Sequence, residues 1–438
     1  MEGQVQPALP YFFKQHMQVQ KKHKEILLTV YIAAICFLTY ACVYAFRKPF
    51  TIGLYQNEPK IFGIDYKNIL VIAQVLGYTI SKFCGIKYIS ELKHIGRGWA
   101  ILILMTASWI PLLLFPLVSS PWNVLFLFLN GLPLGVLWGL IFSFVEGRKS
   151  TDFIGATMAV SFVVSSGFVK SVGKFLQIQY HVAENWIPFY TGAIFLLPII
   201  FLVYLLEKIP PPSEEEQLQK SVRVPLNKKD RKFFFSQFSF GLISFIIIYM
   251  LLSLFRDIRD NFAAELWNEL GYVNTASIFT TTEIPIAICV LILIASMIYI
   301  KNNKQAFYLA QCIILIGFLI CGFSTLLFVN HYLSGYMWIV LIGLGLYMGY
   351  IPFNSILFDR MIASFKLKAN VGYFMYLVDA FGYLASAAVI ILKGAMDVHL
   401  SWTLFFSVGL IVLSLVGSLL SLMNMFYFSK KYKMIQYE

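Results

Sequence analysis

The sequence predicts an all-α membrane protein with twelve transmembrane helices in two pseudo-symmetric six-helix bundles. Three observations predict it: the composition, a series of long apolar runs, and basic residues that alternate from loop to loop. Of the 438 residues, 59% are hydrophobic and only 13% charged, where a soluble domain is about 25% charged. Mean hydropathy is +0.74. So few charges cannot cover a water-facing surface, which excludes a soluble enzyme, a disordered chain, a collagen and a coiled coil.

Residues 1–25 are polar and carry Lys14, Lys21, Lys22 and Lys24. The apolar run after them is too long for a signal peptide, so they read as a retained cytoplasmic tail. A helix needs about 20 apolar residues to cross about 30 Å of hydrocarbon. Six such runs, near 26–47, 68–89, 98–119, 122–145, 153–178 and 186–206, form an N-terminal bundle over 26–206. Ser119-Ser120-Pro121 supplies the turn that separates the third from the fourth. Residues 207–232, with three consecutive prolines and an acidic run, read as a cytoplasmic linker. Six further runs, near 233–256, 275–300, 304–328, 332–357, 369–393 and 399–428, form a C-terminal bundle over 233–428. Residues 429–438 form a second cytoplasmic tail.

The charge excess of +12, from 34 basic and 22 acidic residues, follows this topology. Lys87, Lys93 and Arg97, then Arg148 and Lys149, then Lys301 and Lys304, then Arg360, Lys366 and Lys368 fall in alternate loops. The opposite loops at 119–123 and 330–335 have no Lys or Arg. Basic residues concentrate in cytoplasmic loops, so both termini are expected inside a cell (inner or cytoplasmic) membrane. The same distribution argues against a nucleic-acid partner; the expected partners are the lipid bilayer and a small solute, and a monomer is expected. The six cysteines, Cys36, Cys42, Cys84, Cys289, Cys312 and Cys321, lie in apolar stretches without metal-ligand spacing. No metal site or other cofactor is expected. No nucleophile elbow, phosphate loop or paired-carboxylate motif is present, and an enzyme is not expected.

The two halves resemble each other. VYAFRKPF at the end of the first span and LSLFRDIRDNF at the end of the seventh set Arg47 against Arg256, an offset of 209. The fourth span, 129–148, aligns with the tenth, 341–360, at an offset of 212. Transporters commonly build a midplane solute site between such repeats.

Several segments also resemble the major facilitator superfamily, and within it the organophosphate:phosphate antiporter branch. These are Tyr40, Tyr44, Arg47 and Lys48 in TYACVYAFRKPF, Lys82 in GYTISKF, Arg256 in LSLFR, Tyr350 in GYIPF, and Tyr383 in FGYLAS. The branch's fifth-helix histidine has no counterpart in SFVVSSGFVKSVGKF, and the superfamily's 2–3 loop signature is degenerate in ISELKHIGR. The resemblance implies a secondary active transporter. It would move a small anionic solute, a class that includes phosphorylated ones, by alternating access, through phosphate exchange or proton coupling. A sugar or drug transporter and a transporter-shaped solute sensor are the alternatives.

Charges inside the spans are costly and each needs a reason. A guanidinium matches two phosphate oxygens with a planar fork, so Arg47 and Arg256 are read as a clamp on the solute. The resemblance implies the same role. The competing reading is that both snorkel to the outer interface, because Arg47 lies 21 residues beyond Ile26, about 31 Å along a helix. Lys82, Tyr40, Tyr44, Tyr350 and Tyr383 complete the candidate binding set. Asp379, Glu283 and Lys170 form a candidate coupling or charge network. Asp379 lies 11 residues from Lys368, about 16 Å deep. It is expected to pair with Lys170 or Arg47, or to hold a proton. Glu283 precedes Pro285, where a helix irregularity is expected. The topology has a direct test. Single cysteines at Gln217 and Ser334 should label from opposite sides of sealed vesicles; labelling from one side would overturn the twelve-span count.

Overall fold

The structure is a computed structural model that describes residues 11–91, 96–145, 148, 150–212, 228–298, 300–365, 371–395 and 401–437. The N-terminal half contains α1 (Tyr11–Tyr44), α2 (Tyr66–Glu91), α3 (Arg97–Leu114), α4 (Val124–Leu134), α5 (Leu137–Phe142), α6 (Thr151–Tyr180) and α7 (Ile187–Glu207). The C-terminal half contains α8 (Lys228–Asn261), α9 (Ala263–Glu269), α10 (Ile278–Ile298), α11 (Asn303–Val329), α12 (Gly335–Ser355), α13 (Leu357–Ser364), α14 (Val371–Ala395) and α15 (Trp402–Tyr437). Among the described residues, ten helical segments are long and apolar enough to cross a bilayer, with α4 and α5 forming one of them. α2 and α14 pack against each other across the two halves and bring the bundle to twelve.

Several spans are longer than hydropathy alone predicts. Helical residues begin at Tyr11 inside the expected tail, and α15 continues to Tyr437 through the other. α8 starts at Lys228, five residues before the expected span, and is kinked at Phe238. It also continues five residues past Arg256. The reason is that polar residues continue a helix beyond the hydrocarbon once it has been nucleated. α1 differs in the other direction: it ends at Tyr44, before Arg47. α10 passes through Pro285 without a break, so no irregularity forms beside Glu283. Most of the expected linker, 213–227, lies outside the described residues.

Helix packing uses close backbone approach, as expected where lipid offers no hydrophobic drive between helices. A Cβ added at Gly77 of α2 would lie 2.2 Å from the Phe128 carbonyl oxygen, and one added at Gly131 of α4 would lie 2.3 Å from the Gln74 carbonyl oxygen. Only glycine fits at either position. The contact brings Gln74 beside Asn130, whose Oδ1 accepts from Gln74 Nε2 at 2.7 Å. Aromatic stacking closes the C-terminal half near the chain terminus, where Phe245 and Phe428 stack at 5.5 Å and Phe307 meets Phe428 edge-on at 5.1 Å.

Candidate functional site

The site is built around the end of α1. Pro49 has no N–H to donate to the Ala45 carbonyl, which ends the α-helical ladder there although Lys48 keeps helical dihedrals. The chain turns instead: the N–H groups of Arg47 and Lys48 both donate to the Tyr44 carbonyl, at 3.0 and 2.9 Å. It then enters a buried 3₁₀ turn, Pro49–Ile52. Arg47 therefore does not reach the outer interface, as the snorkelling reading required. Its guanidinium lies over the Tyr78 ring, 3.9 Å from the centroid, and 6.0 Å from that of Tyr44. Its Nε is buried without a hydrogen-bond partner, and among the described residues the guanidinium makes no ion pair.

Arg256 is held differently. It lies over Tyr350 at 3.9 Å, but its Nη2 and Nε donate to Asp257 Oδ1 at 2.7 and 3.2 Å. The other Asp257 oxygen accepts from Ser386 Oγ at 2.7 Å. Both guanidinium groups lie within electrostatic reach of Tyr44 and Tyr383. The two arginines thus turn to one central region, yet one is free and the other is compensated by its neighbour. Tyr40 packs edge-on to Tyr44 at 5.6 Å and against Phe162 at 5.3 Å.

A second group crosses the same region. Lys82 Nζ donates to Asp379 Oδ2 at 2.8 Å and to Tyr383 Oη at 3.4 Å. The other Asp379 oxygen accepts from Tyr249 Oη, which in turn accepts from Asn354 Nδ2 at 3.2 Å. Asp379 is therefore paired, as its depth demands, but with Lys82 rather than with Lys170 or Arg47. Lys82 lies nine residues before the end of α2 and Asp379 eight after the start of α14. Each is about 12–14 Å from the bundle end that carries the termini.

Lys170 belongs to a third group, near the opposite end. It and Lys48 hold the two oxygens of Asp260, each at 2.5 Å. Lys48 also donates to Asn261 Oδ1 at 2.8 Å, and Ser166 donates to Asp260. Lys67 pairs with Glu265 at 2.5 Å. Glu283 bonds Arg259 Nη1 at 2.8 Å; Arg259 Nε and Nη2 and Glu283 Oε2 are buried without a partner among the described residues. These two side chains, with Lys170, Asp260 and Thr282, line a small cavity.

Sequence reasoning missed Asp257, Asp260, Tyr78 and Tyr249. The segment RDIRDN carries two of them at a spacing of three, a detectable signal of charges on one helix face. Tyr78 and Tyr249 gave no signal, since aromatic residues make up 17% of the chain.

Residues 49–431 match a family described as "Family of unknown function (DUF5690)". The chain belongs to this family. No curated protein matches the sequence. Among solved structures, this DUF5690 protein resembles a D-xylose-proton symporter at a TM-score of 0.60 and 15% identity, covering 91% of this chain and 97% of that one. It resembles the nucleoside transporter NupG at 0.58 and 16%, covering 92% and 99%. A bacterial homologue of the human lysosomal transporter Spinster, inward-facing and unoccupied, follows at 0.54 and 12%, covering 93% and 98%. Identities this low establish the fold alone: an all-α membrane protein with the major facilitator architecture.

The Asp260 cluster makes a testable demand on stability. Asp260→Asn leaves two buried ammonium groups without their carboxylate and should cost about 3–5 kcal/mol in thermal unfolding of the detergent-solubilised protein. Adding Lys48→Met and Lys170→Met should restore most of that loss. An Asp260→Asn protein as stable as wild type would show that the cluster does not hold the halves together.

Proposed function

We propose that this protein is a secondary active transporter for a small anionic solute, working by alternating access across a cell membrane with both termini in the cytoplasm. The observation that carries this reading is Arg47: a guanidinium between the two halves, stacked on Tyr78, with no carboxylate partner among the described residues. Arg47 is half-buried, with its Nε out of reach of solvent; a cation held there without a carboxylate is costly, and an anionic ligand offsets the cost. In the central region Arg256 is offset by Asp257 and Lys82 by Asp379. Arg47 leaves one positive charge for the solute.

The chemistry suits a phosphate or phosphorylated solute, in keeping with the resemblance to the organophosphate branch. Arg47 offers a planar fork. Arg256 can turn part of its fork from Asp257 to a second anionic oxygen, and the hydroxyls of Tyr40, Tyr44, Tyr350 and Tyr383 supply weaker donors. Lys48, Lys170, Lys67 and Lys82 each meet a carboxylate of the other half. Rocking of the halves breaks the first three at one end or the Lys82–Asp379 pair at the other. Exchange needs nothing more. Proton coupling would act through Asp379, whose protonation releases Lys82, or through Glu283. The tyrosine-rich lining also suits a neutral sugar or nucleoside, as the named substrates of the xylose symporter and NupG suggest; this is the second reading.

Uptake and counterflow in proteoliposomes, over a panel of phosphorylated and neutral solutes, separate these readings and separate transport from sensing. A phosphorylated solute should exchange with internal phosphate. Arg47→Lys should reduce exchange at least tenfold although the charge is kept, and Arg256→Lys less. Asp379→Asn should keep exchange and lose pH-driven accumulation if the proton route operates. Transport of neutral solutes only, with Arg47→Lys as active as wild type, would overturn the anionic reading.

A further inference from the structure

A helix that stops inside a membrane protein leaves carbonyl oxygens without partners, and there is no water to take them. At the end of α1 these include the carbonyls of Phe46 and Arg47. The Thr51 N–H that would reach Arg47 in a continuing helix donates to Lys48 at 3.0 Å instead. Two buried side-chain amides replace the missing donors. Asn130 Nδ2 donates to the Phe46 carbonyl at 2.9 Å, and Gln74 Nε2 donates to the Arg47 carbonyl at 2.9 Å. Gln74 also donates to Asn130 Oδ1 at 2.7 Å, and Asn130 donates to the Ser108 carbonyl and hydroxyl, both at 2.8 Å. Asn130 is 0% and Gln74 4% exposed.

We propose that Gln74 and Asn130 are positioning residues for the solute site: they hold the main chain of Arg47 so that its guanidinium needs no protein partner of its own. The inference rests on the anionic reading of Arg47 given above. Gln74 and Tyr78 are four residues apart and share one face of α2. That face grips Arg47 at both ends, the amide taking its carbonyl and the phenol ring supporting its guanidinium. Asn130 ties this grip to α4 and, through Ser108, to α3. Arg47 therefore moves with the N-terminal half as a unit. The C-terminal half solves the same problem in another way, by pairing Arg256 with Asp257. A carboxylate there orients the arginine but competes with the ligand, whereas neutral amides on the backbone orient Arg47 and leave all its charge for the ligand.

The test uses the full-length protein in detergent, inorganic phosphate as the probe, and hydrogen exchange as a readout independent of any ligand. Gln74→Met loses only the two amide bonds; Asn130→Asp keeps its shape but puts an oxygen against the two carbonyls. Each should weaken phosphate binding at least tenfold by calorimetric titration. Each should also raise amide exchange in 45–52 at least tenfold while leaving α7 (Ile187–Glu207) unchanged. If Asn130→Asp does not fold, Gln74→Met decides alone. Phosphate affinity within threefold of wild type, or exchange that rises equally throughout the N-terminal half, would overturn the positioning role. If the wild-type protein binds no phosphate, the anionic reading fails, and exchange over 45–52 still decides whether the amides hold the segment.

Discussion

The break at the end of α1 is the constraint on which the centre of this protein depends. Backbone can leave helical geometry at membrane depth only where other protein groups take its hydrogen bonds. Once Pro49 forces the turn, the donors must come from neighbouring helices. That requirement fixes how closely α2, α4 and α3 approach. Gly77 and Gly131 permit the approach, and Gln74 and Asn130 use it. The reward is an arginine carried into the interior on a rigid segment, with its side chain free.

The charges inside the bundle then follow a simple arrangement. Lys48, Lys67, Lys82 and Lys170 belong to the N-terminal half, and Asp260, Glu265 and Asp379 to the C-terminal half. The pairs between them form two groups at different depths, on either side of the arginines. In the alternating-access reading proposed above, each pair breaks when the halves rotate apart. A charge that lacks its partner in one state, but regains it in the other, can hold a bistable structure without locking it. Arg47 and Arg256 stand outside this exchange, each fixed to its own half.

Much of this was legible in the sequence. Composition and basic loops specify the number of spans because bilayer thickness and loop charge act on each span independently. The repeat sets Arg47 and Arg256 in corresponding segments of the two halves, and the structure lays each over a tyrosine ring. What was not legible depends on contacts between distant elements. The length of the apolar run puts Arg47 at the outer edge only if 26–47 is one straight helix, but α1 ends at Tyr44 and a buried 3₁₀ turn follows at Pro49–Ile52. Asp379 was expected beside Lys170 or Arg47, since sequence gives depth but not azimuth; α14 faces α2, so Lys82 is its partner. Gln74, Tyr78 and Lys82 recur every four residues along α2, a polar face in an apolar helix that could have been read as facing the interior. Asn130 had no such signal. Its role appears only when Gly131 seats α4 against α2.

The central claim is that Arg47 is an unpaired cation awaiting an anion between the two halves. Crystals of the wild-type protein soaked with tungstate, a heavy-atom analogue of phosphate, test it most directly through anomalous scattering. The account predicts a strong peak about 4 Å from an Arg47 guanidinium nitrogen, which places a tungstate oxygen at hydrogen-bond distance of about 3 Å, between α1, α2 and α8, and its loss in crystals of Arg47→Gln. A peak only beside the surface lysines, or an Arg47 turned to a carboxylate or to lipid headgroups, would contradict it.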